Sequence, residues 1–555
     1  MIQTIKQTVK ALVLNHFQLD NLNVVVEEPK RGTTDLAIPL FALVKQLGKP
    51  MPVVLEEVKT ALSQYEMITD IQFLNGFLNL SINRGVFASK VIDRITEEQA
   101  SFGNQSVGKT VCIDYSAPNI AKSFSIGHLR STMIGNALKN IYTKLGYRVV
   151  GINHLGDWGT QFGKMIVAYQ KWGNRADIEK NPITELQKLY VKFHEEVERD
   201  PSLDDQARAV FKALEDGNPE MLALWQYFRE ESLKEFMSMY ELLGVSFDSY
   251  DGESFYNDKM EAVAKTLEEQ GLLVEDDGAM IVKLDPLPPA LIKRRDGATL
   301  YITRDLAALL YRFNHYHFDK VLYVVGNEQK LHFDQLKGVS KLMGYDLDIH
   351  HVNFGLVMQD GKKMSTRGGR VVKLYDVIKE AIESASNAIV EKNPNLKNRD
   401  EVAKAIGIGA VIFNDLKNDR NLDIEFNLES MLAFEGQTGP YLQYSSVRIA
   451  SILKNQVLSK NYPVNSYTED LPFELIKQLA AFEDAVQKAA EVNGPHVISR
   501  YLLQLSQLFN QFYGQYKIIT EDEALKQANL HLIQAVRIVL NEGMRLLGMI
   551  ALDEM

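Results

Sequence analysis

Two short stretches carry side chains suited to a phosphorylated ligand. In "NIAKSFSIGHLRST" (119–132), a polar loop holding Gly127 and His128 follows the apolar run "VCIDY" and opens directly into a helix. A glycine there lets a ligand approach the backbone, and the first helical turn offers unpaired N–H groups. His128 can donate a hydrogen bond to a phosphate oxygen whose charge grows during reaction. In "GKKMSTRGGR" (361–370), a basic loop between glycines, Lys363 can neutralise a triphosphate while Ser365 and neighbouring amides hold it. Each stretch has an ordinary alternative, a packed helix start or a solvated basic turn. Their co-occurrence is the informative feature.

The surrounding elements are those that could position such loops. Strand-like "TVCIDY", a helix from about 127 to 146 and strand-like "RVVGIN" read as a βαβ unit of a parallel sheet. The loop leaving the carboxyl end of a strand into a helix is where such sheets bind phosphate-bearing ligands. Residues 175–280 are charged and helical in pattern and read as a solvent-exposed insertion. Strand signals return at "AMIVKL", "VLYVVG" and "HVNFGLVM". Before this region, helical spacing over the first 17 residues, strand-like "NVVVEE" and "GFLNLSI", and a polar linker "TEEQASFGNQSVGKT" (96–110) suggest a small α+β unit. After about 430 the pattern is helical: Leu475, Leu479, Phe482, Val486 and Ala489 form one stripe, "NGP" stops it, and Tyr501, Leu505, Leu508 and Phe512 form the next.

At 555 residues the chain is too long for a single core. Its apolar (46%) and charged (24%) fractions are those of a globular protein, and no run suggests a membrane span or a signal peptide. The lone cysteine, Cys112, excludes an internal disulfide framework and a Cys-rich zinc site, and fits a reducing cytoplasm. A net charge of −11 argues against non-specific nucleic-acid binding but leaves room for a basic face on one side.

Together, Ser125-Ile126-Gly127-His128 and Lys363-Met364-Ser365-Thr366-Arg367 resemble the HIGH and KMSKS signatures of class I aminoacyl-tRNA synthetases. "SAPNIAKSFSIGHLRST" (116–132), "NHLGDWGTQFG" (153–163), "DGATLYITRDLAA" (296–308), "VVGNEQKLHFDQL" (324–336) and "TGPYLQYSSVRI" (438–449) narrow the resemblance to the arginyl-tRNA synthetase family. The likeness covers almost the whole chain.

The resemblance implies a Rossmann-type α/β catalytic domain (106–380) with a helical insertion (about 175–280). It also implies an N-terminal α+β domain (1–105) that contacts tRNA, a helical connector (381–430) and an all-α anticodon-binding bundle (431–555). It implies a cytoplasmic, monomeric ligase that joins L-arginine to ATP, releasing pyrophosphate, then passes arginine to the 2′-hydroxyl of the terminal adenosine of its cognate tRNA. Magnesium is expected to arrive with ATP, with no protein metal cluster and no zinc. Catalytic roles fall to His128, Lys363 and Ser365, and ATP contacts to Ser125, Gly127, His128, Gly326, Lys363 and Met364. The family's arginine pocket maps onto Asp114, Ser116, Asn119, Tyr301, Asp305 and Gln329. A guanidinium with five planar donors requires such acceptors, and an Asp114–Asp305 acidic pair suits a basic substrate.

Two positions depart from the signatures. Ser125 stands where the first HIGH histidine usually is and cannot carry charge. Thr366 stands at the second KMSKS lysine, and Lys362 or Arg367 could supply that charge. Family members generally need bound tRNA before they activate arginine. Asn153 and Gln161 are candidates to face substrate, whereas Trp158 reads as core. Tyr441, Tyr444, Tyr513 and Tyr516 are candidates to stack on RNA bases. Two rivals stay open: a synthetase for another amino acid, and a synthetase-like RNA-binding protein that has lost its chemistry at Ser125.

Overall fold

The computed structural model describes all residues except 20–22, 30–33, 123, 296–300, 365, 368–369, 460–461, 464–466 and 468, and only the backbone of 366–367 and 370–371. Ser365 thus lies outside the described residues.

The N-terminal part begins with the Ile2–Phe17 helix, whose Ile5, Val9 and Val13 recur at fourfold spacing and are fully buried. It packs with an antiparallel sheet in the order Leu36–Pro39, Phe77–Ile82, Ile68–Leu74. The alternating burial of Phe77–Ile82 matches its sequence pattern. "NVVVEE" is not a strand: its one bridge joins Glu27 to Ala37. Nor do residues 96–98 belong to a linker, because the Arg84–Glu98 helix, capped by the Asn83 side chain, runs through them. Polar residues there face solvent while Val91, Ile92 and Ile95 are buried.

The catalytic sheet has four parallel strands in the order Asp348–His351, Lys320–Tyr323, Thr110–Asp114, Arg148–Ile152. The chain leaves Thr110–Asp114 for one neighbour and later returns on its other side. The switch in direction lies at the carboxyl end of this strand, where ligands bind in such sheets. Val111, Cys112 and Ile113 are fully buried, as a strand covered on both faces must be. The following helix, Ile126–Lys144, crosses so close that a Cβ on Gly135 would lie 2.2 Å from the Tyr115 ring.

The insertion differs from a solvent-exposed appendage. Helices Pro182–Val197, Ser202–Glu215 and Pro219–Leu243 share one core with the catalytic domain, and Phe236 and Tyr240 pack on Phe124 beside the site. "AMIVKL" belongs to a separate antiparallel sheet, Leu273–Asp276, Ala279–Leu284, Leu287–Lys293. "HVNFGLVM" is split between Asp348–His351 and Val357–Gln359.

Beyond residue 373 the chain is mostly helical. Leu475 and Leu479 lie on Asp470–Ala480, Phe482, Val486 and Ala489 on Phe482–Glu491, and Tyr501, Leu505 and Phe512 on His496–Gln515; all are buried. Ala481 breaks the first stripe into two helices. Buried ion pairs tie the Ile126–Lys144 helix to this part at both ends. Arg130 Nε lies 2.7 Å from Asp415, and Lys144 Nζ lies 2.9 Å from Glu542. Among the described residues, no helix is long and apolar enough to cross a membrane.

Candidate active site

The loop from Asp114 to Ser125 is held under backbone constraint. Ser116, Ala117 and Ala121 all take positive φ (73°, 45° and 61°), a region costly for non-glycine residues. Ser116 is fixed there by its neighbours. Its N–H donates to Ser131 Oγ at 2.9 Å, its hydroxyl pairs with Tyr240 Oη at 2.8 Å, and Thr132 Oγ1 donates to it at 2.8 Å. Asn119 bridges to Gly156, where any Cβ would strike its side chain at 2.3 Å.

At the helix start, Ser125 is the N-cap and His128 the third helical residue, arranged as a capping box. Ser125 N–H donates to His128 Nδ1 at 3.1 Å, and Ser125 Oγ lies 3.1 Å from the same nitrogen. Nδ1 therefore accepts, and the neutral ring carries its proton on Nε2. Burial pushes the imidazole down to about 4, opposed by the hydrogen bond to Ser125. Phe124 stacks on the ring at 5.3 Å. Gly127 has a different character. Among the described residues a Cβ there would meet only Ser125 Oγ, at 3.5 Å, so none of their packing requires a glycine.

The stretch leading into Lys363 is a hairpin rather than a free loop. Val357–Gln359 pairs with Lys362–Lys363 across Asp360 and Gly361, both at positive φ (52° and 70°), the backbone of a tight two-residue turn. Lys362 and Lys363 are exposed, while Met364 turns its side chain into the core. The chain then returns to the Gly-His loop: Ile126 N–H donates to Val372 O at 3.1 Å, and Leu374 N–H to Phe124 O at 2.9 Å. Two segments some 240 residues apart in sequence are thus joined backbone to backbone at the switch point.

The proposed arginine residues are distributed unevenly. Asp114 Oδ2 already accepts from Arg312 Nη1 at 2.8 Å, both side chains buried. The expected acidic pair is therefore one neutralised carboxylate and one other, Asp305. Asp305 sits four residues after Tyr301 on the Tyr301–Tyr316 helix. His332 Nε2 lies 2.6 Å from its Oδ2, and His154 Nε2 lies 3.8 Å from Oδ1. Burial works to raise the Asp305 carboxyl, but His332, His154 and Arg312 outweigh it and hold it below the ordinary value. Tyr301 is 63% exposed. Gln329 ends the short helix after Gly326, is exposed, and caps the Lys330–Leu342 helix. Gly326 bridges to Phe354. Asn153 is fully buried, donating to Tyr240 Oη at 2.9 Å. Gln161 donates to Trp158 O, and Trp158 packs against Phe211 and Trp225.

Sequence reasoning missed His154, His332 and Arg312. The two histidines lay inside quoted blocks, "NHLGDWG" and "EQKLHF", and a histidine three residues from a candidate on a helix start was the available signal. Arg312, a buried cation facing the strand end, has no local signature.

Comparison with known proteins follows this geometry along the chain. Residues 92–428 match the profile described as tRNA synthetases class I (R), catalytic domain; residues 1–82 match the arginyl tRNA synthetase N terminal domain, and 442–555 the DALR anticodon binding domain. An arginine–tRNA ligase of Exiguobacterium sp. is 49% identical over 546 residues, spanning 97% of this chain and 96% of that one. One of Enterococcus faecalis is 48% identical over 555 residues, spanning 98% of each. The arginyl-tRNA synthetase structure of Thermus thermophilus superposes with a TM-score of 0.82 over the full length of both chains, at 23% identity. That of Plasmodium falciparum gives 0.81 over 100% and 99%. With this coverage and identity, the chain belongs to the arginyl-tRNA synthetase family.

Proposed function

We propose that this crevice performs the family's arginine–tRNA ligation with the residues named above in the following roles. The arginine carboxylate attacks the α-phosphate of ATP in line, so the protein's task is positioning and charge stabilisation. His128 Nε2–H faces the phosphates as a donor. Lys363, with Ser365 and the neighbouring amides, neutralises the departing pyrophosphate. Gly127 leaves room for adenosine, Gly326 does the same on the adenine side, and Ser125 acts on ATP through His128. Met364 anchors the hairpin that presents Lys363. Asp305 takes the guanidinium, with Tyr301 and Gln329 at the rim. Asp114, Ser116 and Asn119 shape the opposite wall, with Asp114 acting through Arg312. The observation that carries this reading is the backbone pairing of the Gly-His loop with Val372 and Leu374, just beyond the Lys-Met-Ser stretch in sequence.

Among the described residues no group of three or more His, Cys, Asp or Glu side chains is arranged to hold a metal ion. Magnesium would enter held by the phosphate oxygens of ATP, the hard donors it prefers. Recognition of tRNA by the C-terminal helices is supported by a cavity of about 640 Å³ lined by Tyr441, Tyr444, Arg448, Phe434 and Lys392. The Arg448 guanidinium lies 4.9 Å from the Tyr444 ring and 4.8 Å from Tyr513, a cation between two half-exposed aromatics. That combination suits a splayed base beside a phosphate. Tyr516, its hydroxyl tied to Glu469, is less suited. We place the reaction in the cytoplasm, with its ATP and tRNA.

The test is charging of a total tRNA pool with each labelled amino acid in turn. Charging with arginine alone is expected, and charging with any other amino acid would overturn the pocket assignment.

A further inference from the structure

Three residues of the loop after Asp114 stand in a backbone conformation that alanine and serine do not favour. Ser116, Ala117 and Ala121 take positive φ, and such residues keep that conformation only where their surroundings enforce it. Much of the enforcement comes from outside the sheet, from the Pro219–Leu243 helix of the insertion.

Trp225, Arg229, Ser232, Phe236 and Tyr240 recur every three or four residues on that helix and so share one face. Each meets one of the two loops that leave Thr110–Asp114 and Arg148–Ile152 at their carboxyl ends, or the ring that ends the first loop. Trp225 Nε1 donates to Asp157 O at 2.7 Å, and Arg229 Nε to Asp157 Oδ2 at 2.8 Å. Ser232 Oγ accepts from Ala121 N–H at 3.1 Å. Phe236 packs on Phe124, whose ring stacks on His128. Tyr240 reaches both loops with one atom: Asn153 Nδ2 donates to its Oη at 2.9 Å, and Ser116 Oγ lies 2.8 Å from it. Ser232, Phe236 and Tyr240 are fully buried. The loops are also joined to each other, Ile120 N–H donating to Gly156 O and Gly156 N–H to Pro118 O, each at 3.1 Å.

We propose that Tyr240 is a positioning residue for the arginine site: through its hydroxyl the insertion holds the Ser116 loop in the conformation that receives the substrate. This rests on the reading of Ser116 and Asn119 as part of the wall of the arginine pocket. Without the hydroxyl, the fully buried Asn153 amide loses its partner, and Ser116 loses a contact that keeps it at positive φ. The loop then gains by relaxing toward ordinary backbone angles. Apparent affinity for arginine falls with the fraction of molecules that keep the competent form. The phosphate side is spared, because a phenylalanine at 240 keeps a ring against Phe124 and leaves its stacking on His128 in place.

The experiment is ATP–pyrophosphate exchange by the full chain in the presence of tRNA, with arginine and ATP varied independently. Tyr240→Phe should raise the arginine KM about tenfold and leave the ATP KM near wild type. Ala117→Gly makes positive φ easy and leaves the hydrogen bonds above in place. Alone it should keep the arginine KM near wild type; combined with Tyr240→Phe it should recover most of the loss, which a general packing defect would not do. Ser232→Ala removes the acceptor of Ala121 N–H and should raise the arginine KM in the same selective way, so the proposal stays testable if Tyr240→Phe does not fold. An unchanged arginine KM in the variant that folds overturns the proposal, as does a rise in both KM values that Ala117→Gly does not reduce. Asp305→Asn separates the underlying reading. If it raises the arginine KM while Tyr240→Phe does not, the proposal alone falls; if it leaves the arginine KM unchanged, the pocket reading falls and the proposal with it.

Discussion

Ser125 directs its backbone N–H onto His128 Nδ1 at 3.1 Å and holds its hydroxyl 3.1 Å from that same atom. The serine that replaces a signature histidine therefore fixes which nitrogen of His128 carries the proton.

This arrangement predicts an ordering among variants. His128→Ala removes a transition-state donor and should lower kcat of arginine-dependent ATP–pyrophosphate exchange by about 10²–10³. His128→Gln, whose amide can reach the Nε2 position, should retain more activity than His128→Asn, which mimics Nδ1. Ser125→Ala should cost about 0.5–2 kcal/mol of stability as a lost N-cap and a smaller share of kcat, because one backbone donor to Nδ1 survives. Equal activity in the Gln and Asn variants would contradict the tautomer assignment.

The pH dependence of stability follows from the same ring. Its folded value is lowered from 6.5 to about 4 by burial. Between these values the unfolded chain binds the extra proton, so this group makes stability fall as pH drops from 6.5 toward 4 and contributes no slope above 6.5. Urea unfolding of the wild type and His128→Gln across that window should show a shallower acid-side loss in the variant. Parallel curves would mean that His128 is not buried as a neutral ring.

Gly127 sits in the first helical turn, where glycine costs about 0.5–1 kcal/mol relative to alanine, and among the described residues a Cβ there would make only an ordinary contact with Ser125 Oγ. Gly127→Ala should therefore raise Tm while raising the KM for ATP. A variant neither stabilised nor impaired toward ATP would show that the space does not serve the nucleotide.

The Arg130–Asp415 pair, both side chains 1% exposed, clamps the site helix to the Arg399–Leu416 helix. Removing one partner, as in Asp415→Asn or Arg130→Met, should cost about 3–5 kcal/mol, and replacing both with apolar residues should recover most of it. Denaturant midpoints read this directly. Single losses under about 1 kcal/mol, as at an exposed pair, would contradict the clamp.

Much of this organisation is legible from local pattern. The strand Thr110–Asp114, the helix Ile126–Lys144 and the buried C-terminal stripes follow from periodicity and from the Gly-His loop between them. Asp360-Gly361 between "LVMQ" and "KKM" is a two-residue turn signal, yet the basic composition of the loop drew attention away from it. What local pattern cannot carry is pairing across long separations. Arg312 neutralises Asp114 from 198 residues away, and His332 meets Asp305 only because the two helices that carry them pack together. The insertion differs from its sequence pattern for a similar reason: its charged faces dominate the sequence, while Phe236 and Tyr240 show their role only when packed on Phe124.

The most direct measurement is steady-state ATP–pyrophosphate exchange in the presence of tRNA, with arginine and ATP varied independently for Asp305→Asn and Lys363→Ala. The account predicts a split: Asp305→Asn raises the arginine KM by about a hundredfold, as loss of a half-buried charge partner would, and leaves the ATP KM near wild type. Lys363→Ala lowers kcat and weakens ATP with little effect on the arginine KM. If Asp305→Asn leaves the arginine KM unchanged, or both variants weaken both substrates alike, the division of the crevice into a guanidinium wall and a phosphate wall is wrong.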